Sequence, residues 1–202
     1  MRSLLFVALG SMLAAAPALS KSLRAAEMQT SAVVLDEADS PHSCGIKTAI
    51  RAESDTPTDL QTTIELQLIV SLTEDGQGVA GQMGLRVARF DLHEGQMRFV
   101  GAPSIVKASL SNADRRFVAE LGEEARQGQD GYLAAFIDTT IVNALMLPSS
   151  EIGRMRELRF EDALSTRGEE SVEFALAVGP TEARTYFACM DAMIRRGKAM
   201  RP

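Results

Sequence analysis

The sequence predicts an α+β, β-rich fold, an antiparallel sheet or sandwich with a C-terminal helix packed on it. Three observations carry this expectation. Ile64, Leu66, Leu68, Val70 and Leu72 alternate with Thr63, Glu65, Gln67, Ile69 and Ser71, the period of two that belongs to a half-buried strand. Turn chemistry recurs at Glu74-Asp75-Gly76-Gln77-Gly78 and His93-Glu94-Gly95, so successive strands are joined directly, as in hairpins. After Gly179-Pro180-Thr181 the period changes, and Ala183, Tyr186, Phe187, Met190, Met193 and Ile194 fall at helical spacing.

Met1 and Arg2 precede an apolar run from Leu4 to Leu19 that closes on Ala16-Pro17-Ala18-Leu19-Ser20. One positive charge, a short apolar core and small residues at alternating positions describe an export signal, residues 1–20, with cleavage after Ala18 or Ser20. The run is too short and too poorly flanked for a stable membrane span. Residues 21–41 are polar and weakly periodic and read as a flexible N-terminal arm, within which Ala32 to Leu35 is a short strand candidate. Gly45 to Ile50 is a second one. A single β-rich domain is expected over 42–202.

Within that domain, Thr62–Leu72 and Val79–Leu92 form the first hairpin. Met83, Leu85 and Val87 share one parity and Phe90 and Leu92 the other, which a β-bulge near Ala88 would reconcile. Met97 to Leu110 follows as a strand bent or placed at an edge by Gly101 and Pro103. From Ser111 the pattern reads as a helix: Ser111 or Asn112 caps, Phe117, Val118 and Leu121 make a stripe, and Gly128 ends it. Gly131 to Leu147, rich in Ile, Val and Thr, reads as one or two strands broken near Asp138. Ser149 or Ser150 starts a short helix presenting Ile152, Met155 and Leu158. A closing hairpin then joins Arg159–Leu164 to Val172, Phe174, Leu176 and Val178. The final helix runs from Thr181 to Arg196, with Gly197 as its stop.

The 202-residue chain carries a formal net charge of −6, which becomes −7 once Arg2 leaves with the signal. A mildly acidic chain lacks the Lys and Arg surplus that nucleic-acid phosphates require. After the signal no apolar run reaches the length of a membrane span. Cys44 and Cys189 are the only cysteines. In the oxidising compartment that the signal implies, two thiols near opposite ends of the domain are expected to form a structural disulfide. Their spacing does not match a Cys-x-x-Cys redox pair.

Chemistry-bearing motifs are sparse. His42 and His93 are the only histidines, both in turn-like settings, and no Gly-x-Ser-x-Gly elbow accompanies them. His42-Ser43-Cys44 offers too few ligands for zinc. Ser104-Ile105-Val106-Lys107 has the spacing of a Ser-x-x-Lys motif but follows Pro103 in a strand, where positions three apart face opposite sides. Met190 and Met193, soft enough to suggest copper, lie on the stripe of the last helix and read as core. Arg195, Arg196, Lys198 and Arg201 complement the negative end of that helix. No catalytic, cofactor-binding or metal-ligating residue is therefore assigned, and the assigned pair is Cys44 and Cys189.

Asn143-Ala144-Leu145-Met146-Leu147-Pro148-Ser149-Ser150-Glu151-Ile152, with Leu158-Arg159-Phe160 and Val172-Glu173-Phe174-Ala175-Leu176, resembles the C-terminal half of the invasion-associated locus B family. The resemblance covers about residues 130 to 195 and implies a small exported β-rich domain without catalytic residues. The expected function is that of a periplasmic or secreted binding or structural module of the cell envelope, with an envelope protein or a glycan as partner. The alternative is a hydrolase-like enzyme whose Asp, Glu, Ser or His side chains converge from separate strands.

Overall fold

The computed structural model describes residues 21–35, 42–54, 60–102, 104–122, 124–128, 131–147, 154–162 and 169–199. The signal segment 1–20 lies outside them. Eleven strands and two helices follow in the order β1 (Lys21–Leu35), β2 (Ser43–Ser54), β3 (Leu60–Leu72), β4 (Val79–His93), β5 (Gln96–Gly101), β6 (Ile105–Asn112), β7 (Val118–Leu121), β8 (Arg126–Gln127), β9 (Leu133–Ile137), α1 (Thr139–Leu145), β10 (Met155–Asp162), β11 (Glu169–Glu173) and α2 (Pro180–Ala199). All strands belong to one sheet ordered β7-β6-β10-β11-β1-β2-β3-β4-β9-β8, with β5 beside β4. Of the two arrangements anticipated, the single sheet is the one formed. Every pairing is antiparallel except β1 with β11.

The sheet curls almost into a barrel. Its terminal strands, β7 and β8, are consecutive in sequence and separated only by residues 122–125, and β7 packs close to β9. Four residues of chain reach at most about 14 Å. The predicted alternation lines the interior: Ile64, Leu66 and Leu68 of β3 lie opposite Ile50, Thr48 and Ile46 of β2 and opposite Val87, Leu85 and Met83 of β4. All nine are buried, and each large aliphatic side chain removed from water here contributes roughly 1.5–3 kcal/mol. Leu110, Leu158, Phe160 and Val172 complete this core from the other side of the curl.

Both helices pack at the end where β2 begins and β3 ends. Cys44 shares the inward parity of Ile46 and Ile50, and its disulfide to Cys189 ties α2 there, with Cα atoms 5.8 Å apart. Tyr186 on α2 is fully buried and its hydroxyl donates to Asn143 Oδ1 on α1 at 2.6 Å. Burial raises the pKa of that phenol well above its ordinary value. At the opposite end the interior holds an ion pair. Arg89 Nη2 of β4 lies 2.7 Å from Glu170 Oε2 of β11, and Glu170 is 2% exposed. Three strands separate β4 from β11 in the sheet, so this pair spans the curl.

Several expectations are corrected. The arm over 21–35 is instead strand β1, inside the sheet, paired with β2 from Leu23↔Ser54 to Leu35↔Ser43 with one register shift between Ala25 and Glu27. Its polar residues misled because much of its outward face stays in water; residues 36–41 lie outside the described residues. The expected helix from Ser111 is the hairpin β6–β7. Asn112 does organise it, but its Oδ1 accepts from the N–H groups of Arg116 and Phe117 to close a turn, and Ala119 and Leu121 are buried with period two. In Gly131–Leu147 only Leu133–Ile137 is a strand. Asp138 caps α1, its Oδ1 accepting from Thr140 N at 2.8 Å, and Ile141, Val142 and Leu145 are buried at helical spacing. That bond also holds the Asp138 carboxyl below its ordinary pKa.

The helix start at Ser149 or Ser150 lies outside the described residues, while Met155 and Leu158 belong to β10. The closing hairpin forms as β10–β11, prolonged by Phe174 N donating to Arg156 O and Leu176 N to Met155 O. Gly197 does not stop α2. It is buried within the helix, where an added Cβ would stand 3.1 Å from Gly76 O and 3.2 Å from Leu72 Cδ2 in the β3–β4 turn region. Its lack of a side chain lets α2 approach. Finally, β3 and β4 stay in register from Leu72↔Val79 to Leu60↔Asp91, so no bulge near Ala88 restores parity between them. The parity change is real. Arg89 takes the inner position, Phe90 the outer one, where its ring packs edge-on at 5.7 Å against Phe99 of β5.

A candidate binding groove on the outer face

The outward positions of β3, β4 and β9 are not uniformly polar. Ile69 and Tyr132 are each 7% exposed, yet they sit apart from the main core because their parity points them outward. Between them the sheet surface is low: Gln67 of β3 faces Gly84 of β4, which faces Ala134 of β9. A Cβ at Gly84 would meet Tyr132 Cδ1 at 3.5 Å and Gln67 Cβ at 3.7 Å, so the missing side chain makes a depression that small substitutions would partly fill. Glu124–Gly128, which carry β8, form one wall. The groove measures about 1020 Å³, large against the usual range of small-molecule sites.

Its chemistry is mixed. Ile69, Ala134 and Phe136 present apolar surface, and Gln67, Gln82 and Gln127 present neutral amides, each with donors and an acceptor. Glu124 and Arg126 are the charged lining residues and they balance. Phe136 lies opposite Gln82, near the end of β9, with 81% of its surface in water, the most exposed large apolar side chain among the described residues.

One edge of the groove is stiffened by a polar network. Glu65 accepts from the Tyr132 hydroxyl at 2.6 Å, lies 3.1 Å from Lys47 Nζ, and pairs with Arg86, whose guanidinium carbon lies 4.9 Å from the Tyr132 ring centre. Desolvation works to raise the Glu65 pKa, but the bonds from Tyr132, Lys47 and Arg86 outweigh it and hold the carboxyl below its ordinary range. Tyr132 is raised, by desolvation and then by Glu65, and Lys47 is raised by its bond to Glu65. An anion held by three donors is a poor proton acceptor. The network positions Tyr132 instead.

The residues singled out in the sequence lie elsewhere. His93 ends β4 and is exposed, 3.9 Å from Glu94, and His42 precedes β2, where its main-chain N–H donates to Leu35 O. Ser104 stands before β6 and Lys107 is exposed on it, so the Ser-x-x-Lys spacing brings nothing together. Met193 is buried and Met190 packs on the core, as expected of core residues. Of the basic tail, Arg195 pairs with Asp191 one turn earlier, and Arg201 lies outside the described residues. Cys44 and Cys189 are bonded. Sequence reasoning missed Tyr132, Phe136 and Glu65. The available signal was apolar character on both parities, Ile69 among polar positions of β3 and Phe136 beside inward Ile137 in β9. Comparisons with protein families, with curated proteins and with solved structures each return no match.

Proposed function

We propose that this chain is an exported, non-catalytic binding module of the cell envelope that takes its partner in the groove over β3, β4 and β9. The observation that carries the reading is Phe136, an aromatic ring left 81% exposed beside a depression rimmed by neutral amides. Scattered exposed apolar residues are ordinary, but a large aromatic at a concave site is what a ligand covers. Export is supported by the signal-like residues 1–20, by the disulfide between Cys44 and Cys189, and by the resemblance to the invasion-associated locus B family. Among the described residues no helix is long and apolar enough to cross a membrane.

The test immobilises the full chain after export from an oxidising compartment and compares what wild type, Phe136→Ser and Phe187→Ser retain from envelope extract. Phe187 is also exposed, on α2 away from the groove. Retention by wild type and Phe187→Ser, lost in Phe136→Ser, is the expected result. Equal retention by all three variants, or by none, refutes the groove.

A further inference from the structure

We infer that the groove accepts a neutral saccharide. This rests on the binding reading above and concerns only the class of ligand. A pyranose ring presents an apolar C–H face and a periphery of hydroxyls that both donate and accept. Phe136 supplies an uncovered aromatic face for the former. Gln67, Gln82 and Gln127 supply side-chain amides for the latter, each able to donate two hydrogen bonds and accept on its carbonyl oxygen.

The electrostatics select against charged ligands. Glu124 and Arg126 offset one another along the wall, and the Lys47 and Arg86 cations behind Tyr132 are drawn onto Glu65. Among the groove's own lining residues Glu124 and Arg126 cancel, and Lys47 and Arg86 are not part of the lining, so an acidic polymer would find no surplus of cations along the described groove wall. The backbone argues against a peptide added as a strand. At the groove floor β3, β4 and β9 are paired with one another, Gln67 with Gly84 and Gly84 with Ala134, so the floor offers side chains rather than an open strand edge. The volume also fits, since about 1020 Å³ has room for more than one sugar ring.

The experiment screens the full exported chain against an array of neutral hexose and N-acetylhexosamine oligomers, acidic uronate oligomers and decaproline, then measures hits by calorimetry at low and high salt. A neutral oligomer should bind with affinity unchanged by salt, because no ion pair is formed. Phe136→Ala should weaken it at least about tenfold, as expected of a central aromatic anchor, and Gln82→Ala should weaken it too. Both side chains are exposed, so the melting temperature of each variant should match wild type. Binding only to uronates, only to decaproline, or to no neutral oligomer overturns the inference. Extract retention that depends on Phe136 but survives glycosidase treatment would also overturn it, while leaving the groove in place.

Discussion

Replacing Arg89 by Met should destabilise the protein by about 3–5 kcal/mol, and the structure says why. Glu170 lies inside the curl, 2% exposed, with Arg89 Nη2 at 2.7 Å. At an effective dielectric constant near 20, two unit charges at that distance attract by roughly 6 kcal/mol, and the desolvation of both ions offsets most of it. The pair is thus worth little net, whereas removing only the cation strands a carboxylate that has already lost its water. For a domain of this size, each kcal/mol moves the melting temperature by about 2–4 °C, so Arg89→Met should melt about 6–20 °C lower. Glu170→Met should cost less, because Arg89 is 20% exposed and its long side chain can reach solvent. The double replacement should recover much of the loss, since two apolar side chains can pack across the same gap. Urea unfolding of wild type, both single variants and the double variant forms the required cycle. Losses under about 1 kcal/mol for Arg89→Met, or strictly additive losses in the double variant, would refute the claim that the buried Glu170 carboxylate depends on Arg89 across the curl.

Three further outcomes are expected. Converting Cys44 and Cys189 to Ser opens a loop of 145 residues, worth about 5 kcal/mol in the chain-entropy account, so the melting temperature of oxidised protein should fall markedly while the far-ultraviolet circular dichroism of the folded state is kept. The stability advantage of wild type over Glu65→Gln should be present at neutral pH and vanish as pH falls through the carboxylate range, because a carboxyl whose folded pKa is lowered stabilises only while ionised; urea melts at pH 7, 5 and 3 measure this. Gly197→Val should force α2 away from Gly76 and Leu72 and destabilise by about 1–3 kcal/mol, with Lys198→Ala, on the exposed side of the same turn, as the neutral control.

Legibility followed how strictly one face was buried. β3 was read correctly because Ile64, Leu66, Leu68 and Val70 are fully buried while Thr63, Glu65 and Gln67 beside them are polar. The last helix and the disulfide were legible for similar reasons: a clear change of period, and only two cysteines to pair. β1 was not legible, because a strand with exposed Arg24, Glu27, Gln29 and Ser31 looks like loop until the register with β2 is known. The hairpin at Asn112 and the helix at Asp138 were exchanged for a common reason. Both begin with a side chain that accepts from nearby backbone N–H groups, a bond that serves a turn or a cap alike, and only long-range burial decides which follows.

The places where the inside–outside rule inverts are more informative than those where it holds. Arg89 and Glu170 are charges at inward positions, and the fold answers each with the other. Ile69 on β3, Tyr132 just before β9 and Phe136 on β9 are large side chains with apolar surface on the outer face, and here the answer is incomplete. Ile69 is covered, Tyr132 is anchored by Glu65 and covered, and Phe136 remains in water. Local inconsistency that the fold itself resolves is structural; inconsistency left open at a concave surface is where a sequence has been shaped by something outside the chain. A polar residue at position 136 would satisfy the sheet equally well. That a phenylalanine stands there, beside amides and over a glycine floor, is the reason the groove, rather than any histidine or Ser-x-x-Lys coincidence, is where function should be sought.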